Sequence, residues 1–130
     1  MSHFSTIKTK LKETEPLIKA LDLLGYNPNQ DEKFVKGYQG KFTAVDISLD
    51  LPENTKVGFK WDNKTNSYEL VTDLDLWKYN LPVERFISKV TQMYAYQTII
   101  SQTQKDGYQI VEQKNENDGS IELVLTKWEG

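Results

Sequence analysis

PVERFISKVTQMYAYQTIISQTQKDG, residues 82–107, is the stretch on which the fold turns. Pro82 suits the opening of a helix and Gly107 a left-handed stop, and no proline or glycine interrupts the residues between them. Val83, Phe86, Ile87, Val90, Tyr94 and Gln97 recur at helical spacing on one stripe, the face expected to press on a sheet. Between Val90 and Gln104 there is no charge at all, in a chain whose charged fraction is 27%. A surface helix normally shows charge to water. This one has amides, hydroxyls and apolar groups instead, so it is expected to be covered on more than one side, by its own sheet or by a partner. Gln92, Ala95, Tyr96 and Ile99 fall outside the core stripe and form the expected contact edge, for a protein partner or a homo-oligomer.

Working outward, Phe4 to Leu11 alternates as a strand, and Thr14 reads as the cap of a short amphipathic helix carrying Leu17, Ile18, Leu21 and Leu24 up to Gly25. After the polar turn YNPNQDE, residues 34–51 form two extended runs that meet near Gly37 to Gly40. In the second run Thr43, Val45, Ile47 and Leu49 point to the core, while Phe42, Ala44, Asp46, Ser48 and Asp50 point away. Val57 to Trp61 and Tyr68 to Val71 make a hairpin about the turn DNKTNS, and Tyr108 to Gln113 with Ile121 to Trp128 make another about Asp118-Gly119. The halves rhyme: strand, helix, LLGYN and a hairpin, then strand, helix, KDGYQ and a hairpin. Together these elements predict a single α+β domain over residues 1–130, two-layered, with an antiparallel sheet of about seven strands and two helices on one face. The rhyme is the mark a βαββ duplication would leave.

Composition removes whole classes of function. The chain has 130 residues, 38% hydrophobic, enough for one buried core. Its net charge of -3, with Arg85 the lone arginine among 16 basic residues, argues against a nucleic-acid or anionic-membrane binder. With no cysteine there is no disulfide, thiol nucleophile or thiolate metal site. No run approaches the roughly 20 apolar residues of a membrane span, and the N-terminus has no apolar run of signal-peptide length. His3 is the one histidine, which excludes a histidine dyad or a His-rich metal site.

Two constellations remain as candidate sites. Asp46, Ser48 and Asp50 share a strand face, with Glu69, Asp73 and Asp75 on the strand and turn expected to pair nearby; carboxylates so placed suit a metal ion or an acid/base pair. Alternating polar residues on the solvent face of a sheet give the same pattern. Trp61, Tyr68, Trp77 and Trp128 suit a flat ligand such as a tetrapyrrole or flavin, or cross-strand packing. Gly37-Tyr-Gln-Gly40 has the spacing of an RNA-binding GxxG loop but lies between strands, where it reads as a hairpin turn. No phosphate loop or nucleophile elbow is present, and no cofactor is expected.

MSHFSTI, Phe59-Lys-Trp, Tyr68-Glu-Leu-Val, Val83-Glu-Arg-Phe, Tyr94-Ala-Tyr and the segment from Asp118-Gly119-Ser to Trp128 resemble, over essentially the whole chain, the hypothetical chloroplast open reading frame 35 family. That family occurs in cyanobacteria and in plastid genomes of red-algal lineage, as a domain of unknown function. The resemblance implies a plastid stroma or cyanobacterial cytoplasm and supplies no catalytic residues. The expected function is a non-catalytic accessory or assembly protein of a photosynthetic organism acting through protein contact. The alternative is a small ligand-binding protein or enzyme using Asp46, Asp50, Glu69 and Asp73 or the aromatic residues.

Overall fold

The computed structural model describes residues 4–37, 40–115 and 121–127. In chain order the elements are β1 (Phe4–Lys8), α1 (Thr14–Leu23), β2 (Phe34–Lys36), β3 (Phe42–Ala44), β4 (Ile47–Leu51), β5 (Thr55–Asp62), β6 (Ser67–Asp73), α2 (Val83–Lys105), β7 (Tyr108–Asn115) and β8 (Ile121–Lys127). The class is α+β, with every strand pair antiparallel. His3, the Asp118-Gly119 turn and Trp128 lie outside the described residues.

The central sheet has the order β1-β6-β5-β4. Its register places Ile7, Leu70, Phe59 and Ile47 side by side, one apolar row across all four strands. Because strand side chains alternate, that row and its neighbours Leu49, Val57 and Tyr68 face the helices together. α1 contributes Leu17 and Leu21, and α2 contributes Val83, Phe86 and Val90, to the same buried cluster. Each such side chain, fully buried, contributes about 1.5–3 kcal/mol. The stripe expected on the long helix is thus the face that meets the sheet, with Ile87, Tyr94 and Gln97 half-buried along its margin.

The strands expected in one sheet of about seven are divided among that four-stranded sheet and two two-stranded ribbons, β2-β3 and β7-β8. The first ribbon lies across the opposite face of the sheet, adding a partial third layer to the expected two. Val35 and Val45 pack on Val71 there, beside Phe4. Gly58 makes this possible: a Cβ at that position would stand 2.5 Å from Val45 Cγ1 and 2.8 Å from Val35 Cγ2. The run through residues 42–50, expected to be one strand, is therefore broken at Val45 and Asp46. Val45 serves the ribbon side, while Ile47 and Leu49 serve the helix side.

The helix ends show the rhyme in atoms. Gly25 and Gly107 both have φ 84°, and their N–H groups donate to Asp22 O (3.0 Å) and Gln104 O (3.2 Å). Each glycine releases the chain through a tyrosine into a ribbon. At the start of α1 the cap is Glu13 rather than Thr14, and Glu13 makes no side-chain cap bond. The Thr14 hydroxyl is bonded to that of Tyr68. The orphan N–H groups of Lys12 and Glu13 donate instead to the Tyr94 hydroxyl on α2, at 3.1 and 3.0 Å.

Candidate functional site

The carboxylates do not converge; each has its own local partner. Asp46 Oδ2 accepts from the Trp61 backbone N–H at 2.7 Å, fixing the kink between β3 and β4. Asp50 pairs across to Lys56 Nζ at 2.6 Å. Asp73 Oδ1 accepts from the Asp75 N–H at 3.1 Å, capping the 3₁₀ turn Leu74–Leu76. Glu69 stands opposite Lys60 on β5 and Lys8 on β1, and it shares a hydrogen bond with Asp62. Loss of water around its carboxyl, then that bond and the Asp62 charge, push Glu69 above the ordinary glutamate value, against the pull of Lys8 and Lys60. Asp62 moves the other way, chiefly because the Lys64 N–H donates to it at 2.9 Å. Among the described residues no group of three Asp, Glu, His or Cys side chains is placed to hold a metal ion.

The described aromatic residues form two packing groups. Trp61 and Tyr68 meet edge to face with centroids 5.1 Å apart, and the Trp61 indole N–H donates to Asn63 Oδ1. Trp77 packs on Tyr79 and Phe86 and donates to Leu81 O at 3.0 Å. The Lys78 and Tyr79 N–H groups are tied to Thr55 Oγ1, at the far end of β5 from Trp61. Six residues of strand, about 20 Å, separate those two ends.

A polar chain that the sequence did not reveal joins Lys89, Tyr26 and Tyr79: Lys89 Nζ donates to the Tyr26 hydroxyl at 3.2 Å, which lies 3.1 Å from that of Tyr79. A lysine beside a phenol is a known way to make a proton donor. Here the bond to Tyr26, and then burial, raise the Tyr79 phenol above its ordinary value, so it holds its proton at neutral pH. The cluster ties the chain just after α1, the segment before α2 and α2 itself together.

The remaining region is the far end of α2. That helix has 23 residues, about 34 Å of axis, and its core contacts stop near Tyr94. Gln92 and Ala95 are exposed. Tyr96, expected at the outer edge, is half-buried, because its hydroxyl donates to Gln113 Oε1 of β7 and so holds the second ribbon to the helix. From Ala95 to Gln109, at Gln113 and Lys114, and from Glu122 to Lys127, no residue is buried. Ile99 is 47% exposed, Tyr108 41%, Val124 39% and Leu125 39%. Val124 and Leu125 are successive residues of one strand and point to opposite sides, so both faces of this ribbon meet solvent. An open groove of about 700 Å³ lies between the start of α1 and α2 residues including Gln97, Ile99 and Gln102.

No described helix is long and apolar enough to cross a membrane. The model of the family described as "Protein of unknown function (DUF1257)" matches residues 20–124, a stretch that contains the first ribbon and ends within β8. Over 98% of both chains, the sequence is 35% identical to uncharacterized protein ycf35 of Pyropia yezoensis and 36% identical to that of Guillardia theta. Identity to the Cyanophora paradoxa protein is 33%, with the same coverage. These relatives are plastid-encoded, in agreement with a plastid location. No solved structure matches the chain. The quoted segments, the near end-to-end likeness to these relatives and the matching model agree: the chain belongs to the ycf35 family, whose shared domain is DUF1257.

Proposed function

We propose that this protein is a non-catalytic accessory or assembly protein of a plastid stroma or cyanobacterial cytosol. It works by protein contact through the far half of α2 and the β7-β8 ribbon, with Gln92, Ala95 and Ile99 on the contact edge and Tyr96 holding the ribbon in place. One observation carries the reading. α2 has no buried residue beyond Val90, and its far half and the ribbon expose Ile99, Tyr108, Val124 and Leu125. A ribbon of two strands is marginal in water unless something packs against it. The ligand or enzyme reading at Asp46, Asp50, Glu69 and Asp73 draws no comparable support, since each is engaged locally.

The absence of cysteine makes the test clean. Ile99→Cys gives a single thiol for a photoreactive label, and Asn63→Cys, on the β5-β6 turn, gives a control. The purified chain and a host-cell extract should each be irradiated with both labelled variants. A discrete adduct from position 99, to a second copy or to one partner, and none from position 63, is expected. Equal or absent adducts at the two positions would remove the interface. Gln92→Glu with Ile99→Glu should abolish the adduct made through a label at position 95 while leaving the melting temperature unchanged.

A further inference from the structure

The outer face of the first ribbon carries a second, unlike surface. Phe34 and Phe42 are 56% and 63% exposed, the latter the most exposed large hydrophobic side chain among the described residues. The register pairs Phe34 with Ala44 and Lys36 with Phe42, so Phe34, Lys36 and Phe42 share one face while Val35 turns inward onto Gly58. Two rings placed diagonally across neighbouring strands stand about 7 Å apart. Lys33 and Lys41 flank them and are also exposed. From Lys33 to Val45 the charged residues are these three lysines, with Asp31 and Glu32 before them and Asp46 after them in the chain. None of the three lysines takes part in an ion pair among the described residues.

We infer that the outer face of β2-β3 binds single-stranded nucleic acid, with Phe34 and Phe42 as stacking platforms for two bases and Lys33, Lys36 and Lys41 against the phosphates. Adjacent exposed rings on a flat antiparallel surface, with lysines at their margins, supply the two elements such binding needs: π-faces that accept any base and a positive track for the backbone. The whole-chain charge that argues against nucleic acid is an average, and the ribbon departs from it. Shape and flanking charge distinguish this ligand from an anionic bilayer. The ribbon lies flat on the sheet, with Gly37 against the Phe4 ring, rather than projecting as a tip. Glu32 and Asp50 line the same depression as Phe34 and Phe42. Asp50 is already paired with Lys56, so Glu32 is the acid that a planar negative surface would press on, whereas a single strand needs only the width of a base. This surface is separate from the α2 edge, and either can fail without the other.

The test is fluorescence anisotropy of a labelled oligouridylate of about 12 nucleotides, long enough for one small site, titrated with the full chain. Saturable binding is expected, weakening about 20-fold between 50 and 200 mM salt, as three neutralised phosphates require on a single strand. Phe34→Ala and Phe42→Ala should each weaken binding about tenfold, the scale of one lost base stack. Both side chains are solvent-facing, so the melting temperature should hold. Phe34→Leu with Phe42→Leu separates stacking from mere apolarity: loss of binding supports the proposal, and unchanged binding overturns it. Absence of saturable binding at 50 mM salt, or salt-independent binding, also overturns it. So does flotation with phosphatidylglycerol vesicles without oligonucleotide binding, which would assign the face to a membrane.

Discussion

The two ribbons leave their helices in the same way and end in opposite circumstances. Both follow a glycine at φ 84° and a tyrosine. Tyr26 goes into the core, edge to face with Phe86 at 5.4 Å and bonded to Tyr79 and Lys89. Tyr108 remains exposed. β2-β3 has a seat prepared for it, since Gly58 opens the middle of the sheet to two valines. β7-β8 is joined to α2 by the bond between Tyr96 and Gln113. A local signal, helix stop and hairpin, therefore decides that a ribbon forms. Where it packs depends on a residue far away in sequence. Position 58 decides it for the first ribbon, and the described residues offer the second no counterpart.

The largest expected effect comes from filling the seat. Glycine within a strand normally weakens it, so Gly58→Ala would be mildly stabilising if the position were open. At 2.5 Å from Val45 Cγ1 the sign reverses, and overpacking should cost about 1–3 kcal/mol in urea unfolding. Val45→Ala should restore part of that loss in the double variant. Strict additivity of the two changes would mean that the valine and the glycine do not share the space, and the contrast between the ribbons would lose its physical basis.

A smaller loss is expected where α2 holds α1. Tyr94→Phe removes the acceptor for the Lys12 and Glu13 N–H groups, which are exposed enough for water to replace it in part, so about 1 kcal/mol is expected. Smaller still is Tyr96→Phe, which cuts the bond from α2 to Gln113. Global stability should change by less than about 0.5 kcal/mol, but amide exchange in β7-β8 should accelerate while that in β2-β3 stays unchanged. Equal acceleration in both would show that the ribbons unfold together and that the second is no separate unit.

These positions also mark what the sequence could reveal. The α2 stripe was legible, because Val83, Phe86 and Val90 repeat at the period of the helix itself. So were Gly25 and Gly107, whose function is local. The break at Val45 was not, because residues 42–50 alternate without fault; its causes lie on another strand, in the opening at Gly58 and in the Trp61 N–H that donates to Asp46. The caps of α1 were misread for the same reason: Tyr94 reaches Glu13 from 81 residues away. The contact edge was half legible. Tyr96 lies off the core stripe, as its spacing says, yet a ribbon that folds back onto the helix half-covers it.

The smallest expected effect concerns the part of the sheet face where Glu69 and Asp62 stand exposed enough to titrate. In the folded chain Glu69 holds its proton more firmly than its reference value of 4.5 implies. Its contribution to stability is therefore complete below that value and is lost as pH rises through the folded value. Asp62 is displaced below 3.8, so its contribution is complete above that value and is lost as pH falls through the folded one. On acidification Glu69 takes its proton first, and Asp62 gives up its benefit later. A shallow stability maximum between the two titrations follows. Carboxyl-carbon NMR should show Glu69 titrating above Asp62 by more than the difference between the two reference values. Asp62→Asn should return Glu69 part of the way toward its ordinary value, because the neighbouring negative charge vanishes while Lys8, Lys60 and the loss of water around the carboxyl remain. Phe34→Ala should leave both titrations untouched if the first ribbon is seated only through Val35 and Val45. A shift of Glu69 in that variant would mean that the ribbon's outer face also governs the open end of the sheet, and its seat would then be wider than Gly58 alone.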